Sequence, residues 1–316
     1  MELAGMLLTG GFTYIAPPPE NKAAWFGGGY SGSQISTVDR ITYATDTDTA
    51  TTRGPLSMAR SQLAAASNFN YGWFGGGTGP GGGVSRVDRI TFATDTDTAS
   101  VRGPLSAATY QLAAAGNTTD GWFGGGLAGG VVSTVSRITY ATDTATASIC
   151  GPLSLARRNF AATANTTDAW FGGGYIPSTT SDTTRVDRIT FATDTATASV
   201  RGPLSAARQR VAAAGNDTDG WFGGGGVVSS SAGRSIVDRI TYATDTATAS
   251  VRGPLSAGRY FLAAASSPSY AWFGGGNPGP VSTVDRITFA TDTNTASVRG
   301  PLSLARARLA AAGGMQ

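Results

Sequence analysis

Along this chain, apolar and polar positions fall into short runs, and each run is closed by glycine, proline, asparagine or aspartate. The segment from Ala206 to Ser256 shows the pattern in full: AARQRVAAAGNDTDGWFGGGGVVSSSAGRSIVDRITYATDTATASVRGPLS. Runs of this length, rich in β-branched and aromatic residues and bounded by turn residues, predict strands. Four are predicted here: RVAAA, GWFGGG, VDRITYAT and ATASVRG. Nothing has helical period, and glycine and proline recur too often for a helix of ordinary length.

The segment is one of six. The pentapeptide Trp-Phe-Gly-Gly-Gly begins at Trp25, Trp73, Trp122, Trp170, Trp221 and Trp272, so every tryptophan of the chain lies in it. Four short strands in a unit of about 50 residues is the signature of a β-propeller blade. The expectation is therefore an all-β, six-bladed propeller with four antiparallel strands per blade, spanning residues 25–316 behind an N-terminal arm of residues 1–24. Adjacent Trp and Phe point to opposite faces of one strand, as a blade packed between two neighbours requires. The alanine-rich strand fits the crowded axis, and the glycines allow close approach of neighbouring elements. A phosphate-cradling loop would need a helix after the glycines, and none is predicted in any copy.

The alanine-rich strands and the Trp-Phe strands are out of phase. The first Trp-Phe strand has no alanine-rich partner before it, and the last alanine-rich strand, Leu309-Ala310-Ala311-Ala312, has no Trp-Phe strand after it. Pairing the two closes the ring and removes open edges.

Composition narrows the function. Charged residues are 14% of the 316, against about a quarter in an ordinary domain, and the net charge is +3. The arginines are isolated, so no basic run marks a nucleic-acid partner. No segment reaches the roughly 20 apolar residues of a membrane span. The single cysteine, Cys150, excludes an internal disulfide framework, and histidine is absent.

The unit order Ala-Arg, Leu-Ala-Ala-Ala, Trp-Phe-Gly-Gly-Gly, Val-Asp-Arg-Ile-Thr-Tyr, Thr-Asp-Thr, Gly-Pro-Leu-Ser resembles the kelch repeat over residues 25–313. It resembles more closely the degenerate kelch-like arrays in tail and virion proteins of bacteriophages, notably phages of cyanobacteria. One departure is the missing fourth-strand tryptophan, in whose neighbourhood Val-Arg-Gly stands. The resemblance implies a structural virion protein, tail- or fibre-associated and part of an oligomeric assembly, with a host glycan or receptor as a further contact. A cellular surface adhesin or glycan-binding propeller is the alternative. Some kelch-type propellers are copper oxidases, but that site needs histidine. Some six-bladed propellers are sialidases, but nearly every polar residue here is repeated, whereas catalysis needs an asymmetric constellation. No enzyme activity and no cofactor are expected.

Asp46-Thr47-Asp48 and Asp95-Thr96-Asp97 resemble calcium-binding turns, yet four of the six copies lack the second aspartate. The favoured reading is side-chain capping of the turn. In the third unit Thr109, Ser136 and Cys150 replace Arg, Asp and Arg, which predicts mutual neutralisation of the three groups. Cys150 is then an inert thiol.

Variation concentrates in the loop after the glycines, and variable loops on a rigid support are where binding usually resides. The two longest contain Tyr175, Ile176 and Arg185, and Val227, Val228 and Arg234; these are the candidate binding residues. Leu7, Leu8, Phe12, Tyr14 and Ile15 make the arm too apolar for a free tail, so it is expected to dock on a neighbouring subunit or virion protein.

Overall fold

Each repeat folds as a four-stranded antiparallel sheet, and six such sheets form the propeller in a computed structural model that describes residues 22–313. The candidate arm residues Leu7, Leu8, Phe12, Tyr14 and Ile15 lie outside the described residues. Blade V is representative, with strands Ala212–Gly215, Asp219–Gly223, Val237–Thr241 and Ser250–Arg252 running from the axis outward. Its third strand is shorter than its apolar run. After Thr241 the chain turns through a 3₁₀ segment, Tyr242–Thr244, that lays the Tyr242 ring flat on Trp170 of blade IV, with centroids 3.8 Å apart.

Blade I contains both ends of the described chain. Ala310–Ala312 pairs antiparallel with Ala23–Gly27, matching Trp25 to Ala312, Phe26 to Ala311 and Gly27 to Ala310. Leu309 precedes the strand and is buried between blades VI and I. The seam is also polar. Arg306 donates to the Phe26 carbonyl at 2.9 Å and pairs with Asp39 at 3.3 Å, while Ser303 N and Oγ donate to the same carboxylate.

The core is six inter-blade layers, not one mass. Trp25 and Phe74 meet between blades I and II, and Phe26 meets Trp272 between VI and I. Trp therefore faces the following blade and Phe the preceding one, as alternation along a strand requires. The three glycines of the motif have three different reasons. Gly27 ends the strand, and a Cβ there would lie 2.7 Å from the Phe74 ring of the next blade. Gly28 and Gly29 have φ of +65° and +119°, a region L side chains rarely enter. A second invariant glycine, in Gly-Pro-Leu-Ser, sits under the next blade's turn. A Cβ on Gly202 would lie 1.9 Å from the Ala247 carbonyl oxygen. The outermost strands have only three residues, and short edges offer little template for edge-to-edge pairing.

The aspartate of each Asp-Thr turn does something other than cap its turn. Trp25 Nε1 donates to Asp95 of blade II at 2.8 Å, and Arg40 and Arg53 approach the same oxygen at 3.0 and 3.4 Å. The arrangement repeats around the ring, ending with Trp272, Arg286 and Arg299 on Asp46. Each blade thus hands a carboxylate to the indole of the blade before it and, at every junction but that of blades III and IV, to two guanidinium groups as well. A calcium ion at Asp46 would have to displace all three donors.

The charges missing from the third unit belong to two groups, not one. In blade II, Arg60 and Asp88 form a fully buried pair at 3.0 Å. Thr109 and Ser136 take these places in blade III, where Ser106 and Ser136 share a 2.7 Å hydrogen bond. That pair vanished together, as expected. Cys150, however, replaces the arginine that would reach Asp194, and Asp194 is retained. The carboxylate still accepts from Trp122 and Arg137, and the Cys150 thiol donates to it at 3.1 Å. Burial, then this hydrogen bond, pushes the Cys150 pKa up to about 12, which makes it a poor nucleophile.

Candidate functional site

All six variable loops emerge on one face, beside the links between blades. The first residue after each Trp-Phe-Gly-Gly-Gly motif bridges a link residue just before an inner strand: Tyr30 to Ala307, Thr78 to Ser61, Leu127 to Tyr110, Tyr175 to Arg158, Gly226 to Gln209 and Asn277 to Tyr260. The next link residue in each blade points to the axis. These six are Gln62, Gln111, Asn159, Arg210, Phe261 and Arg308.

Those six residues form a closed ring of peptide groups. Each backbone N–H donates to the carbonyl of its counterpart one blade earlier, from Gln111 to Gln62 round to Gln62 on Arg308, over distances of 2.5–2.9 Å. Holding that bond puts every one of them in the left-handed region, with φ between 58° and 60°. The conformation costs about 1–2 kcal/mol for a residue with a Cβ, and one hydrogen bond returns about 0.5–1.5 kcal/mol. The ring persists because the surrounding blades over-determine it.

Above the ring lies a recess of about 210 Å³ whose wall includes Arg158, Arg210, Arg308, Tyr175, Phe261 and Val228. The Phe261 ring lies between two guanidinium groups, 4.9 Å from Arg210 and 5.0 Å from Arg308. Arg158 covers Tyr175 at 5.3 Å and donates to Gln111 Oε1 at 3.1 Å. Among the described residues, none of these three arginines has a carboxylate within ion-pair distance. Below, a smaller chamber of about 70 Å³ is lined by the six ring residues together with apolar side chains including Leu63, Leu112 and Phe160. The channel beyond is lined mainly by the alanine-rich strands.

The loop candidates divide. Tyr175 and Val228 reach the recess. Tyr175 and Ile176 pair with Asp182 and Ser181 as a small hairpin, and Val228 N donates to Asp182 at 2.6 Å, so the two longest loops touch. Val227 is half-buried beside it. Arg185 is committed elsewhere, donating to Ser154 at 2.8 Å and lying 3.4 Å from Asp187. Arg234 is exposed, and its backbone bridges Arg259. The axial residues were not among the sequence candidates. Their signal was a variable dipeptide between the link's Ala-Arg (Ala-Thr at Thr109 and Gly-Arg at Arg259) and the following Leu, Phe or Val, set in otherwise repeated surroundings.

The fold defines the class, a closed six-bladed β-propeller with four-stranded blades. No protein-family model matches the chain, and no curated protein matches it at a significant level.

Proposed function

We propose that this propeller is a non-enzymatic structural and binding component of a phage virion, tail- or fibre-associated, that presents its loop face to the host. One observation carries the binding part: side-chain variation is gathered at one end, over a scaffold that repeats everywhere else. Such a division suits recognition, because rigid strands hold the contact groups and free them to differ. The virion part rests on the resemblance of the repeat to kelch-like arrays of phage tail proteins. Docking through residues 1–24 onto a neighbouring virion protein belongs to the same proposal. A cellular adhesin would use the same face, so the location of the protein separates the two readings.

The test has two parts. Mass spectrometry of purified particles should find the protein as a stoichiometric component. Replacing the loops 175–185 and 226–236 with the short Asn-Pro-Gly-Pro-Val-Ser-Thr of blade VI should leave folding intact and weaken attachment at least tenfold. Absence from particles sinks the virion reading. Attachment that survives the loop exchange but fails when residues 1–21 are removed makes the protein an assembly piece instead.

A further inference from the structure

In a chain with 45 glycines, the six left-handed ring positions are never glycine. Elsewhere among the described residues positive φ falls to glycine, Thr180 excepted, as at Gly28, Gly76 and Gly224, where an added Cβ would meet a carbonyl oxygen within 2.3–2.7 Å. At the ring a side chain fits, and it is kept at a conformational cost that glycine would remove. Side chains retained against that cost, and differing from blade to blade, are there for what they contact.

Their chemistry is cationic and flat. Arg210 and Arg308 make no side-chain hydrogen bond or ion pair among the described residues, although both are partly buried. Burial lowers the Arg210 pKa, Tyr260 opposes that shift, and the nearby Arg308 and Arg158 guanidinium groups add to it. The one carboxylate acting on Arg210 is Asp182, which lies outside ion-pair distance and already accepts from Val228 N. Concentrated positive charge with free donors, set in a recess, suits an oxyanion. The two arginines also hold the Phe261 ring between them, which leaves an apolar surface beside the charges. The recess, at about 210 Å³, is small against the roughly 300–1,000 Å³ of drug-sized ligand pockets, which suits a single ring.

We infer that the axial mouth is a binding site for a single acidic sugar residue, its carboxylate or sulfate held by Arg210 and Arg308 and its apolar face against the edge of the Phe261 ring. This deepens the proposed binding function and rests on it.

The test uses the intact protein and titration calorimetry at low salt, with methyl glucuronoside, methyl glucoside, sodium sulfate and a short acidic peptide as probes. The glucuronoside should saturate one site, bind at least tenfold more tightly than the neutral glucoside or sulfate alone, and weaken with added salt. The double variant R210G/R308G removes both cations while favouring the ring's backbone conformation. It should therefore keep its melting temperature and lose binding about tenfold to a hundredfold. Absence of glucuronoside saturation, equal binding of the glucoside or sulfate, tighter binding of the peptide, or unchanged binding by a folded R210G/R308G would each overturn the assignment. Particle location and the loop exchange report separately on the broader reading, which survives if the axial site alone fails.

Discussion

Blade III lacks the buried pair that its neighbours keep, so blade II can be converted to match it. Arg60 and Asp88 are both 0% exposed and 3.0 Å apart. Arg60 also donates to the carbonyls of Phe74, Gly76 and Arg86. Burial, with a smaller push from Arg86, holds the Arg60 pKa down to about 10 even though Asp88 opposes the shift. D88S removes the countercharge and leaves a guanidinium with no route to water. Breaking a buried pair in this way costs about 3–5 kcal/mol. R60T leaves Asp88 with Ser57 and the partly exposed Arg86, but it strips three carbonyls of a donor, at about 1–3 kcal/mol for each buried group left unpaired. R60T/D88S rebuilds the blade III arrangement, in which Ser57 and the introduced hydroxyl would share the kind of bond that Ser106 and Ser136 share. The double variant should be more stable than D88S, with a coupling energy of about 2 kcal/mol or more. Urea unfolding of all four proteins, monitored by tryptophan fluorescence and compared at equal m-values, measures it. Simple addition of the two single costs would refute the view that the pair was lost as a unit.

Truncation after Ser303 removes Arg306, the closing strand and one sixth of the axial ring; the product should aggregate, and light scattering of a soluble monomer would count against intramolecular closure. G202A should destabilise by about 3 kcal/mol, the upper end for overpacking, because its Cβ would meet the Ala247 carbonyl at 1.9 Å. G81A, with nothing within 4 Å, should change stability by less than about 0.5 kcal/mol, and a similar loss in both would sink the explanation. Between pH 9 and 10 the folded protein keeps the Cys150 proton, with its pKa raised from 9.0 to about 12, while the unfolded chain sheds it. Cys150 should therefore take about 1 kcal/mol from the stability across that window, and C150S should remove that part of the fall. The three buried tyrosines, raised from 10.0, add about 1 kcal/mol to the fall between pH 9 and 10 and steepen it above, so the wild-type loss should be roughly twice that of C150S.

Blade number, strand order and closure were legible because the repeat counts the blades and the phase mismatch of its two strand types leaves one pairing. Local spacing was a poorer guide to polar groups. Asp95 sits in a turn and reads as a cap, yet its indole partner, Trp25, is 70 residues earlier in another blade. Likewise the arginine positions taken by Thr109 and Cys150 read as partners of one aspartate, but their counterparts answer to different carboxylates. Of the site, the loop residues Tyr175 and Val228 were found through loop length. The axial ring was not, because Gln62, Asn159, Arg210 and Phe261 carry no mark of a left-handed backbone. Their conformation is imposed by hydrogen bonds that exist only once six blades have met.

The closing seam also sets a clock. Ala23–Gly27 and its partner Ala310–Ala312 leave the ribosome almost a whole ring apart. At about 5–20 residues per second, the first waits roughly 15–60 s for the second. Throughout that interval the nascent chain carries a sheet with one side unzipped and the Asp39 carboxylate without its arginine. Messages are read by several ribosomes at once, so the complementary strand that arrives first can belong to the chain ahead. Newly made molecules are thus in a race between self-closure and exchange with their neighbours, and sparse ribosome loading favours the single ring.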